Sequence, residues 1–190
     1  DRLLECYETL AYHFSKGSSV LKAVEYLVKS GEKSHKRYSL EESHQYFKQA
    51  YELLSGNEIQ TEEKNKHIID LLIKWGYVFN CRADYKGLEE LLLANENRAK
   101  STSDGEQLGM FYAWLGCAVW HRERFKEAHQ QLMKALAFGE KSKNLTVVGD
   151  ACCWLSWVCT ELGLLDDAIA YAEKAQKILK PDHRDDFIYV

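Results

Sequence analysis

Residues 110–135 read MFYAWLGCAVWHRERFKEAHQQLMKA, and they decide the fold because the same pattern stands 40 positions to either side. Upstream is LLIKWGYVFNCRADYKGLEELLLAN (71–95), and downstream is ACCWLSWVCTELGLLDDAIAYAEKA (151–175). At this constant offset Trp75, Leu115 and Leu155 coincide, followed by Gly76, Gly116 and Ser156. Tyr85, Phe125 and Leu165 come next, then Leu88, Ala128 and Ala168. Leu92, Leu132 and Ala172 follow, and Asn95, Ala135 and Ala175 close the series. A period of this length marks a repeat architecture, in which each unit is too small to bury its apolar face except against its neighbours.

Each copy reads as two amphipathic helices joined by a tight turn. In the middle copy Phe111, Leu115, Ala118 and Val119 keep helical spacing, and the polar HRER (121–124) interrupts it. Phe125, Ala128, Leu132 and Ala135 then form a second stripe. Gly116, Ala128 and Ala135 are expected where the two helices cross, since larger side chains would force the axes beyond about 8–10 Å. Tyr85 and Phe125 are expected to fill the space beside them. Gly163 is placed to supply the left-handed residue that ends a helix.

The same reading extends to the N-terminal third. Gly17, Ser18 and Ser19 interrupt one helix, Ser39 is a candidate N-cap, and Leu40, Ser43, Phe47 and Ala50 take the second-helix roles. Nine helices are predicted, at 2–15, 20–36, 40–54, 62–82, 85–100, 105–121, 125–142, 145–161 and 165–179. The stretch SGNEIQT (55–61) is the longest predicted loop and too short to separate independent domains. The expectation is one domain over 1–190, with divergent repeats in 1–54 and three copies of 40-residue period in 62–181.

This pattern resembles the tetratricopeptide repeat, with Leu155, Gly163, Ala168, Ala175 and the late Pro181 giving the best match. Leu88 and Asn95 depart from the small residues that the family prefers there. The period also exceeds the usual one of about 34 residues, which implies a helix pair longer by roughly 9 Å in total. The resemblance implies an all-α, right-handed α-solenoid of stacked antiparallel helix hairpins. Leu10–Leu54 resembles the helical region that follows the ATPase module in large bacterial signalling proteins, often those with a class III nucleotide cyclase domain. That likeness implies a fragment of a larger signalling protein.

Composition narrows the function classes. Hydrophobic residues at 46% and charged ones at 28% suit a globular chain, and a single Pro favours helix. A net charge of −4 gives no reason to expect nucleic acid or an anionic membrane as partner. No apolar run approaches the roughly 20 residues that span a bilayer, and the opening DRLLECYETLAYHF lacks the features of a signal peptide. The six cysteines are scattered through apolar segments without CxxC spacing, so they read as buried free thiols in a reducing cytoplasm. Phosphate-binding, zinc-hydrolase and serine-hydrolase motifs are absent. Cys117 and His121 lie one helical turn apart, but no third group orients them, and a packed thiol explains Cys117. The acidic LDD (165–167) and HRDD (183–186) lack the alternating ligands of a calcium loop. No catalytic residue, metal site or cofactor is expected.

Geometry supplies the functional candidates. In the family the first helices of successive repeats line a concave surface. Carried onto this chain, its groove positions fall on Ile73, Tyr77, Asn80 and Cys81, on Ala113, Cys117, Trp120 and His121, and on Cys153, Trp157, Thr160 and Glu161. Tyr77, Asn80, Trp120, His121, Trp157 and Glu161 are the candidate contact residues, because large aromatics with polar neighbours suit peptide recognition. The alternative is that Trp120 and Trp157 pack between adjacent first helices. Trp75 and Trp114 are assigned to the core or the interface between repeats. Family members that grip chaperone C-terminal carboxylates use Lys, Asn and Arg where this chain has Ile73, Tyr77, Ala113, Trp114 and Cys117, so that ligand is not expected. The partner expected is a protein, a peptide or another domain of the same parent. A small apolar ligand in the same groove is the alternative.

Overall fold

The computed structural model describes residues 6–16, 19–56, 61–102 and 104–178. Among these residues the chain forms nine α-helices and no strand. They are α1 (Tyr7–Lys16), α2 (Val20–Lys36), α3 (Leu40–Ser55), α4 (Thr61–Cys81), α5 (Tyr85–Lys100), α6 (Gly105–Trp120), α7 (Phe125–Ser142), α8 (Leu145–Glu161) and α9 (Leu165–Ile178). From α2 onward every boundary falls within one residue of its expected place. Residues 2–5, Gly17, Ser18, the 57–60 part of the loop, and 179–190 with Pro181 and HRDD lie outside the described residues.

The hairpins are alike because their turns are alike. Ala83, Glu123 and Gly163, spaced 40 apart, all hold left-handed backbone, with φ of 53°, 61° and 74°. Each donates its N–H to the carbonyl three residues back, on Asn80, Trp120 and Thr160, at 3.0, 2.8 and 3.1 Å. The next N–H, on Arg124 and Leu164, reaches Val119 and Cys159 at 3.3 and 2.9 Å. Carbonyls left over at the end of one helix are thus satisfied while the chain reverses. Tyr38, at φ 58°, repeats the device between α2 and α3, with its N–H on His35 and that of Ser39 on Ser34. The α2–α3 hairpin is therefore a fourth copy, displaced from α4–α5 by 45 residues (Tyr38 to Ala83).

Helix crossings confirm that register. A Cβ added at Gly116 would stand 2.5 Å from Cγ of Leu132, and one at Gly31 would stand 2.8 Å from Cε2 of Phe47. Gly31 and Phe47 are the counterparts of Gly116 and Leu132 in the fourth copy. Ala50, Ala128 and Ala135 are wholly buried at the same crossings. Small residues let the two helices approach, and one large side chain from the second helix fills the gap.

The chain divides into two compact units, Asp1–Ala83 and Asp84–Val190. In the first, α1 packs on α2, and α4 packs on α3. Phe47, Leu54, Ile68, Ile69, Trp75 and Val78 form its core, and the Trp75 Nε1–H donates to Nδ1 of His44 at 3.2 Å. In the second unit α6–α7 and α8–α9 are stacked hairpins, with α5 against α6. Its core includes Leu88, Phe111, Trp114, Leu115, Leu132 and Leu155. Glu89 of α5 is buried and joined to Arg122, Oε2 to Nη1 at 2.6 Å, and to Arg124.

Three local expectations change. Ser39 holds the N-cap position, but its hydroxyl makes no capping bond, whereas Asp84, Asp104 and Asn144 do cap their helices. The cysteines are free thiols, yet Cys6 and Cys81 are exposed rather than buried, each at one end of its helical segment. Tyr85 is only half-buried: its ring stacks on His121 instead of filling the crossing beside Leu88.

Candidate functional site

The second unit gathers aromatic side chains at the C-terminal ends of α6 and α8. Asp104 starts α6 by accepting the N–H groups of Glu106 and Gln107, and every residue from Gln107 to Val119 is then buried. A helix buried all round offers surface only at its ends. Trp120 is half-buried there and His121 is exposed. On α8, capped by Asn144, Trp154 is buried and Trp157 stands 42% exposed.

These rings touch one another. Trp120 lies 5.5 Å from Trp154 and 5.4 Å from Trp157, and Trp154 meets Trp157 edge-on at 4.9 Å. His121 stacks on Tyr85 at 3.6 Å and meets Trp120 edge-on at 4.4 Å. Edge-to-face and tilted contacts suit the ring quadrupoles and add about 0.5–1.5 kcal/mol each beyond area burial. Though exposed on one side, the His121 ring is partly desolvated against Tyr85 and Trp120, which lowers its pKa and favours the neutral imidazole. The Trp120 Nε1 is buried with no hydrogen-bond partner, so this side chain serves the cluster through its ring.

Of the six candidate residues, Trp120, His121 and Trp157 come together in this cluster. Glu161 lies one turn beyond Trp157 and is exposed. Tyr77 and Asn80 are half-buried on α4, in the first unit. Ala113 and Cys117, expected to face the concavity, are sealed because α6 packs directly on α8. Desolvation pushes the Cys117 thiol far up, as it does Cys153, to about 11, so neither is primed as a thiolate. Trp75 and Trp114 belong to the core, as expected. Sequence reading did not single out Trp154. Its signal was its i, i+3 spacing from Trp157, which places both on adjoining parts of one helical face.

A second feature was not legible in advance. Between α2 and α4, in the first unit, lies a cleft of about 420 Å³. Leu21, Val24, Val28 and Leu71 give it apolar walls, and Lys22, Glu25, Lys29, Glu32, Asp70 and Lys74 ring it with both signs of charge. Lys74 bridges to Glu32 at 3.2 Å, and Lys29 pairs with Glu25 at 2.5 Å, so much of the rim neutralises itself. No group of three or more His, Cys, Asp or Glu side chains suited to a metal occurs among the described residues, and none of their helices is long and apolar enough to cross a membrane.

No protein-family model matches the chain, and no curated protein matches it in sequence. Solved structures do. The apo form of RapI is similar at a TM-score of 0.76 and 18% identity, over 96% of this chain and 49% of its own. Aspartyl phosphate phosphatase F from Bacillus subtilis follows at 0.73 and 17%, over 98% and 47%. The TPR-like repeats described for a kinesin light chain of Podosopora anserina give 0.69 and 14%, over 95% and 87%. The chain thus spans about half the length of the first two, and at these identities the likeness is one of fold. With its helix turns repeated at Tyr38, Ala83, Glu123 and Gly163, the chain carries the tetratricopeptide-like helical-repeat fold.

Proposed function

We propose that the chain is a non-enzymatic protein-interaction module, and that it docks a peptide or protein domain on the surface around Trp120, His121, Trp157 and Glu161. The observation that carries this reading is Trp157, a large ring left 42% exposed but braced by two other tryptophans. A rigid, partly exposed aromatic on a buried support is the usual form of an interface hot spot, since little side-chain entropy is lost on binding. Tyr77 and Asn80 on α4 are candidate contact positions within the first unit. Panning a random peptide library against the chain and against Trp157→Ala tests the reading. Peptides retained by the first and lost by the second support it; indistinguishable selections sink it.

The wider setting rests on the sequence of Leu10–Leu54, which favours a regulatory segment of a larger cytoplasmic signalling protein with ATPase or nucleotide cyclase domains. Other domains of that parent are then candidate partners. We take 1–190 as one repeat domain, because the 40-residue register runs unbroken from Leu71 to Ala175. A small-molecule sensor is the second reading, favoured by the cleft between α2 and α4. Thermal shift against a metabolite panel separates the two, since stabilisation abolished by Leu71→Lys would favour a ligand in the cleft.

A further inference from the structure

Trp157 and Glu161 stand four residues apart on α8, so their side chains share one helical face. Trp154 backs the Trp157 ring edge-on, and Trp120 lies tilted against it, so the indole cannot fold away from solvent without breaking the cluster. The open part of such a ring attracts cations through its quadrupole. Glu161 is exposed and enters none of the ion pairs formed by the described residues.

The local field has the same sign. Glu161 is the last residue of α8, where the aligned peptide dipoles of the helix place their negative end, up to about half a charge. Neither α8 nor α6, whose end carries Trp120, has a basic residue in its last turn. The cations that follow α6, Arg122 and Arg124, are both held by the buried carboxylate of Glu89. An aromatic face, a carboxylate and a helix end therefore meet with no cation engaged by Glu161.

We propose that this surface receives a cationic side chain of the partner, an arginine or lysine laid over the Trp157 indole with its charge reaching Glu161. The inference rests on the docking reading above. Arginine fits best, because a planar guanidinium stacks on the ring while its N–H groups donate to a carboxylate in the same plane. With no cation engaged by Glu161, the same charge balance disfavours the carboxylate-bearing peptides that a cationic groove would take.

The test uses the full chain with N-acetyl-arginine amide and its neutral isostere N-acetyl-citrulline amide, following the indole N–H signals by NMR. A saturable shift of the Trp157 signal is expected with arginine, about tenfold weaker with citrulline. Glu161→Gln should weaken the arginine response several-fold and leave citrulline unchanged. Equal responses to the two probes, or no response, overturn the proposal. The library selection separates its failure from that of the docking surface. Trp157-dependent peptides enriched in Arg and Lys support it. Trp157-dependent peptides of any other chemistry overturn it and leave the docking surface standing, whereas no dependence on Trp157 removes both. A melting temperature for Trp157→Ala that keeps the chain fully folded at the assay temperature shows that the loss is local.

Discussion

Gly163 sits at φ 74°, with nothing within 4 Å of where a Cβ would stand. Gly163→Ala therefore isolates the backbone cost of the left-handed turn, and a loss of about 1 kcal/mol is expected in urea unfolding. Gly116→Ala differs in kind, because its new methyl meets Leu132 at 2.5 Å. There the expected loss is about 1–3 kcal/mol from overpacking, and a shift no larger than that of an exposed control such as Lys126→Ala would contradict the crossing geometry. Glu89 offers a third residue-scale case, only 3% exposed while its two arginines remain near 40%. Replacing Arg122 and Arg124 together by Ala strands a buried carboxylate, at about 3–5 kcal/mol. Glu89→Leu removes the charge with the need for partners and should cost under about 1.5 kcal/mol. Gly116 was legible because Gly76 stands 40 residues upstream, and Gly163 because a glycine just past a helical stripe is the usual left-handed helix end. The Glu89 pairing was not, since Arg122 and Arg124 sit in a turn whose direction the periodicity leaves open.

At the scale of the helix, α6 and α8 differ along their lengths in a way that mutants can read. Trp114 is buried mid-helix, and Trp114→Ala should cost about 3–5 kcal/mol. Trp157→Ala removes a ring already part-exposed and should cost far less, so comparable losses would refute the placement of the cluster. The ends also titrate. Burial lowers the pKa of His121 beside α6 and of His35 on α2, so each folded imidazole sheds its proton below the ordinary value of about 6.5. In the window beneath 6.5 the unfolded chain binds more protons. Stability is then complete above that pH and falls as pH drops through the folded values. Melting temperatures between pH 7.5 and 5.5 should decline, and less steeply in His121→Gln. The resemblance to the tetratricopeptide repeat pointed to the face that carries Trp120 and Trp157. It did not show that α6 and α8 touch, which closes Ala113 and Cys117 and brings Trp154 into the cluster, because the distance between neighbouring hairpins depends on side chains from several helices at once.

For the molecule as a whole, the register predicts one cooperative fold although the chain divides at Ala83 and Asp84. Calorimetry should show a single transition with equal calorimetric and van't Hoff enthalpies. Two resolved transitions, with proteolysis near residue 84, would make the units separate domains. The repeat was readable over Leu71–Ala175 because its offset is constant, and the N-terminal copy less so because its offset is 45. Its identity rests on the Tyr38 turn and the Gly31–Phe47 crossing, which a search at fixed period passes over. The cleft between α2 and α4 had no sequence signal, since apolar walls such as Val24 and Leu71 look the same whether covered or open.

One register position ties these scales together. His44, Glu89, His129 and Ile169 are equivalent in the four second helices. His44 meets Trp75 and Phe79 of the helix that follows, and Glu89 meets two arginines of the next turn. His129 is half-buried, and Ile169 stands 59% exposed. Hairpins built so alike invite exchange, either within one chain or between two molecules at high concentration. A hairpin that arrived at the wrong site would set an indole against a carboxylate, or an arginine against an imidazole. The differing chemistry would then act as an address, by which misplaced hairpins are disfavoured at the joints rather than within themselves. Making His44 and Glu89 alike should leave each hairpin intact and raise the fraction of swapped dimers on refolding.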